Sequence, residues 1–173
     1  MVALLLGANA LAGAAGKPAY EYDSNVPASW YFLLYDRVKA ENISPPAAAR
    51  VFGATGVALY QAVQGGMHQH LTLVGQLNQL DSLPTAEEGS QYHWPSAGNA
   101  ALAEVLRNLF VGKPNSIAAF DNLEAQFASS YANSAKASVL QRSSVLGHTV
   151  GDAVATWQAM ASHSSTTAPL YLQ

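Results

Sequence analysis

The chain has 173 residues, half of them hydrophobic and only 11% charged, with a formal net charge of −3. That length fills one good core and is short for two ordinary domains, while eight scattered Lys and Arg form no stripe able to displace counterions from nucleic acid. The absence of cysteine excludes disulfides, thiolate metal sites and a Cys nucleophile, without fixing the compartment.

Residues 1–16 are small and apolar and end in Ala12-Gly13-Ala14-Ala15-Gly16. They read as the remnant of a secretory signal, although a Lys or Arg near Met1 is missing, because the run is shorter than the ~20 residues a spanning helix needs. Export to a secreted or periplasmic location without a membrane span is therefore expected. A helical domain is expected over residues 23–163, followed by a tail over 164–173.

Asp23-Ser24-Asn25 with Pro27 starts the first helix, and Trp30, Leu33, Leu34 and Val38 share its inner face. Asn42 to Pro46 breaks it, because a residue before proline is pushed out of the α region, and Ser44 is placed to begin the next helix. The second helix, from about Pro46 to Gln64, has almost no polar face and is expected to be the central, buried one. Gly65-Gly66 should end it in a left-handed cap. Between Met67 and Ser96 a short helix carrying Leu71, Val74, Leu77 and Leu80 is the best reading, followed by a polar stretch.

Periodicity returns at Asn99 with Leu102, Val105, Leu106, Leu109 and Phe110, and Gly112-Lys113-Pro114-Asn115 makes a turn. Ile117, Phe120, Leu123, Phe127 and Tyr131 mark a fourth helix, with Glu124 as a polar intruder on its apolar face. Val139, Ser143, Leu146, Val150, Val154, Trp157 and Met160 alternate spacings of three and four in the clearest and longest helix. No alternating strand pattern is present. The expected fold is an all-α bundle of about five helices, the last the longest.

No phosphate loop, nucleophile elbow or His-Glu-x-x-His zinc helix is encoded. Gly53-Ala54-Thr55-Gly56 reads as a site of close helix packing. His68 and His70 could share a metal ion with Asp81, Glu87 or Glu88, but nothing fixes a third ligand, and a polar turn is the better reading. His93 and Trp94 before Pro95 suggest a packed aromatic corner. His148, beside the apolar stripe of the last helix, reads as a hydrogen-bonded boundary residue, and His163 as a solvent-facing tail residue. Arg50 could hold an anion, yet a pair with Asp36 or Glu41 is expected instead.

Pro45-Pro46-Ala47-Ala48-Ala49-Arg50-Val51, Ala58-Leu59-Tyr60-Gln61-Ala62-Val63, Trp94 to Ala101, Val105 to Phe110 and Val145 to Ala155 together resemble one family. They look like the N-terminal helical half of bacterial vanadium-dependent haloperoxidases and the related acid phosphatases of the type-2 phosphatidic-acid phosphatase superfamily. The resemblance implies a second half that holds vanadate or a substrate phosphate with a Lys and an Arg-Pro, a Pro-Ser-Gly-His, and a Ser-Arg followed by a His. A multiply charged oxyanion needs several cationic donors and an imidazole in line with it. None of these sets occurs here. Pro95-Ser96-Ala97-Gly98 lacks the His and reads as a helix start, so no catalytic, cofactor-binding or metal residue is carried onto this chain.

The sequence thus predicts a non-catalytic helical part, or a truncated form, of a secreted haloperoxidase-like or phosphatase-like protein. Its partner would be a catalytic C-terminal half, or a second copy, packed on apolar helix faces. A free-standing helical binding or assembly module is the alternative.

Overall fold

In the computed structural model, which describes residues 16–164, five helices follow a 3₁₀ turn at Ala19–Glu21. They are α1 (Asn25–Ala40), α2 (Pro45–Gln64), α3 (Trp94–Leu109), α4 (Pro114–Ser130) and α5 (Ala137–Ser164), and no strand occurs among the described residues. The expected all-α bundle is observed, and α5, at 28 residues, is the longest helix. His163 has no described side chain, so the expectation for it falls outside the described residues, as does the signal remnant up to Ala15.

The centre of the bundle is α3, not α2. It packs on each of the other four helices, with its largest interface against α5. Ala97, Ala100, Ala101, Leu102, Ala103, Val105 and Leu106 are all essentially inaccessible. Small residues rather than large ones win the central position, because a helix touched from several sides needs close backbone approach more than a broad apolar surface. The outer side of α2 is open instead, with Ala49, Arg50 and Gly53 exposed.

Three large side chains lock the periphery to that centre. Trp30 of α1, Phe110 just after α3 and Phe120 of α4 are buried together, Phe110 and Phe120 meeting edge-on with ring centroids 5.2 Å apart. Each such burial contributes roughly 1.5–3 kcal/mol. The α3–α5 contact is tighter still. A Cβ placed on Gly151 would lie 2.7 Å from the Ala101 carbonyl oxygen, so these two backbones touch through the glycine. Gly53, by contrast, faces open space, and only Gly56 of that segment is close to a neighbour, with a Cβ 3.2 Å from the Tyr31 hydroxyl.

α3 begins at Trp94, in keeping with Pro95-Ser96-Ala97-Gly98 as a helix start, because Pro95 is tolerated in a first turn where its missing N–H breaks no bond. The end of α2 differs from expectation. Gly65 caps α2 at φ −59°, in the right-handed region, so no left-handed cap is needed there. The glycine pair answers a steric demand: a Cβ on Gly66 would fall 2.5 Å from the Trp94 indole.

The short helix expected through Leu71 and Leu80 is absent. Residues 65–93 run as turns, with Gly75 at φ 74° and Gln79 at φ 61° interrupting any helical path. Side chains of the last turns of α2 hold this segment by its backbone. The Tyr60 hydroxyl donates to Leu71 O at 2.7 Å, Gln64 Nε2 donates to His70 O at 2.7 Å, and Gln61 Oε1 accepts from Thr72 Oγ1 at 3.1 Å and Leu73 N at 3.3 Å. From the other side, Trp157 Nε1 donates to Asn78 O at 3.0 Å. Long connections without helix need such partners, since turn bonds such as Gly75 N to Leu80 O satisfy only part of their backbone.

Candidate functional site

The densest set of charged groups lies where α3, α4 and α5 meet. Glu104 and Arg107 on α3 and Asp121 and Glu124 on α4 are each spaced by three, which puts both members of a pair on one helix face. His148 and Asp152, four apart, do the same on α5. Arg107 is the hub: Nε donates to Asp121 Oδ1 at 2.7 Å, Nη1 to Glu104 Oε2 at 3.2 Å, and Nη2 to Glu124 Oε2. The other oxygen of Glu124 meets His148 Nε2 at 2.7 Å. His148 is thus the hydrogen-bonded boundary residue expected of it, and the polar intruder of α4 is its partner.

Beneath this ionic layer lies a neutral one. Asn99, buried in the first half of α3, accepts from Trp30 Nε1 at 2.8 Å and donates to the backbone oxygen of Glu124 at 3.1 Å. One carboxamide therefore joins α1, α3 and α4, and leaves no buried donor of the indole unpaired.

The electrostatics follow from the count of partners. Burial alone would lower the Arg107 pKa, but hydrogen bonds to Asp121 and Glu124 outweigh it and hold the guanidinium charged. Burial would likewise raise Glu124, and its bonds to His148 and Arg107 outweigh that, keeping its carboxyl below the ordinary value of 4.5. The His148–Glu124 pair has the form of a base and its orienting acid, but the described hydrogen bonds of His148 include no hydroxyl to activate. Arg107 already serves three carboxylates of its own. The node ties helices together, and the three carboxylates around Arg107 already offset its positive charge.

The remaining candidates are dispersed. His68 and His70 are exposed; His68 shares the rim of a cleft of about 350 Å³ with Glu87 and Glu88, whereas Asp81 lies elsewhere, beside Trp157 and Met160. Among the described residues no group of three His, Asp or Glu side chains is placed to hold a metal ion. His93 is indeed a packed corner, edge-on to Tyr22 and Tyr131, with Nδ1 2.8 Å from Ser96 Oγ; its burial pushes its pKa down. The Ser143 hydroxyl accepts from the His93 backbone N–H at 2.8 Å, a link from α5 to the start of α3 that no sequence pattern announces.

Arg50 does not pair with Asp36 or Glu41. Glu41 is taken by Lys113 Nζ at 3.1 Å and Ser116 Oγ at 2.7 Å, which join the end of α1 to the start of α4. Those bonds lower its pKa, the one from Ser116 most. Arg50, on the exposed side of α2, instead borders a groove with Asp152 and makes no ion pair among the described residues.

No protein-family model and no curated protein matches the sequence. Among solved structures, the fold is similar to a crystal structure described as the first bacterial vanadium-dependent iodoperoxidase, with a TM-score of 0.68 and 19% sequence identity. The overlay covers 86% of this chain and 35% of that one, so the chain spans about a third of the length of the protein it resembles. At that identity the likeness establishes a shared helical fold. Among the described residues no helix is long and apolar enough to cross a membrane.

Proposed function

We propose that this chain is the N-terminal helical part of a secreted, haloperoxidase-like or acid-phosphatase-like protein, and that it scaffolds a catalytic half which supplies the chemistry. The observation that supports this reading is the overlay of nearly the whole chain on 35% of a longer iodoperoxidase chain. The donor set argues in the same direction. Arg107 is paired with Glu104, Asp121 and Glu124, Lys113 is paired with Glu41, and Arg142 donates to Gln91 O. These cations do not converge on one point, so they do not fit vanadate or a phosphate ester, which needs several donors at once. Any oxyanion site would belong to the second half, and no step of such chemistry is assigned to residues of this chain.

Intact mass of the native protein, read together with the coding sequence downstream of Gln173, tests the reading. A longer polypeptide carrying Lys, Arg-Pro and Pro-Ser-Gly-His in that order is expected. A native polypeptide ending at Gln173, or vanadate or phosphate held stoichiometrically by this chain with turnover, refutes it. The closed core around Trp30, Phe110 and Phe120 favours a second reading, a helical binding or assembly module that folds without a catalytic half. Strong binding of a hydrophobic dye by the isolated chain would count against that module.

A further inference from the structure

The distribution of charge on α2 and α5 is unlike that of helices facing water. α2 carries a single formally charged side chain, Arg50, and from Ser143 to the end of α5 the single one is Asp152. The outward positions of α5 are Val145, Thr149, Asp152, Thr156 and Met160, all exposed. A solvated helix of this length ordinarily carries several charges on that side.

The two isolated charges border the same groove. It has a volume of about 400 Å³ and runs between the start of α2, the end of α3 and the outer half of α5. Buried Val51 and Ala155 form its floor with Leu109, and small residues, Ala47 and Ala159, form its shoulders. Arg50 makes no ion pair among the described residues, and the nearest donor to Asp152 is Asn108 Nδ2 at 3.5 Å, a long contact. A guanidinium and a carboxylate of opposite sign thus stand at an apolar trough without an ion pair among the described residues. That arrangement suits an element that brings an acid to one and a base to the other while laying an apolar stripe between them.

We propose that this groove seats a helix of the catalytic half, with Arg50 receiving a carboxylate and Asp152 a cationic head from it. The proposal rests on the reading above that such a half exists. The occupant is the second half rather than a second copy because the overlay covers 35% of the iodoperoxidase chain, which leaves 65% of that chain outside it.

The chain contains no cysteine, so a single introduced thiol reports its own surroundings by its rate of maleimide labelling, followed peptide by peptide by mass spectrometry in the native full-length protein. Thr156→Cys lies at the groove and Ala28→Cys on the outer side of α1; both positions are exposed in this chain alone, and both changes are small. Thr156→Cys should label about tenfold more slowly than Ala28→Cys. Equal rates in a native protein that carries a second half would overturn the groove while leaving the scaffold reading intact. A native polypeptide ending at Gln173 would overturn both, and a slow Thr156→Cys that becomes fast on dilution of such a polypeptide would assign the groove to a second copy instead.

Discussion

Gly147 and Gly151 stand one turn apart on the face of α5 that presses on α3, and replacing either by alanine tests the closest contact in the bundle. A methyl at 151 would lie 2.7 Å from the Ala101 carbonyl oxygen, 2.8 Å from Glu104 Cβ and 3.0 Å from Val105 N. At 147 it would meet Ala100 Cβ at 2.7 Å and Ala101 N at 2.9 Å. None of these atoms is the far end of a flexible side chain, so relief requires the two helix axes to part. In an open helix Gly→Ala stabilises by roughly 0.5–1 kcal/mol through backbone entropy and propensity. Overpacking a core costs about 1–3 kcal/mol, and contact with backbone on several sides belongs at the upper end. The difference predicts a net loss of about 2 kcal/mol for Gly151→Ala or Gly147→Ala, or roughly 4–8 °C in Tm for a domain of this size. Gly53→Ala, whose Cβ would meet nothing within 4 Å, is the control and should be neutral to stabilising by up to about 1 kcal/mol. Thermal and urea unfolding followed by circular dichroism read all three. If Gly151→Ala and Gly53→Ala shift Tm alike, the α3–α5 distance is not what limits packing and the reasoning fails.

Glu124→Gln should lower stability by about 1–2 kcal/mol near neutral pH, because the charge-assisted bonds to Arg107 and His148 are lost. Since the folded-state pKa of Glu124 is depressed, its contribution is present above about 4.5 and disappears as pH falls through the folded-state value. Urea midpoints of wild type and variant should therefore converge on acidification, and a constant gap would show that Glu124 acts by packing alone. Asn99→Ala should cost about 2–3 kcal/mol, since it strips the buried Trp30 indole of its acceptor, and a loss below about 0.5 kcal/mol would mean that another group takes over. Trp157→Phe keeps an aromatic ring but removes the bond to Asn78 O, so limited proteolysis within residues 65–93 should accelerate while Tm falls by only a few degrees. Unchanged cleavage would place the anchoring of that segment with Tyr60, Gln61 and Gln64 alone.

The helices were legible because their apolar residues recur at spacings of three and four, and the breaks were legible because Pro45, Gly112 and Pro114 punctuate them. The identity of the central helix was not. α2 looked the more apolar, but the centre went to the alanine-rich α3, since what decides centrality is how closely neighbours can approach, a property of the facing residues as much as of the helix itself. The same holds for glycine. Gly53 and Gly56 drew notice by standing close in sequence, while Gly147 and Gly151, which hold the tightest interface, acquire their meaning only from Ala97, Ala101 and Val105 opposite them. In the polar node, Glu124 and His148 were visible as polar residues on or beside apolar stripes. Arg107, Asp121 and Asn99 were not, because each looks like an ordinary surface residue until a helix from elsewhere in the chain arrives. Residues 65–93 misled for a related reason: Leu71, Val74, Leu77 and Leu80 repeat at helical spacing, but Gly75 and Gln79 adopt left-handed backbone, and bonds from α2 and α5 compensate for the missing helix.

The pairing of α3 with α5 also bears on how the chain is made. The ribosome delivers α3 well before α5, with α4 in between, so the surface formed by Ala97, Ala101 and Val105 stays bare while some forty further residues are synthesised, an interval of seconds at ordinary elongation rates. A nascent chain halted after α4 would display its own keystone to solvent, and a chaperone that recognises exposed apolar helix would find there its natural point of hold.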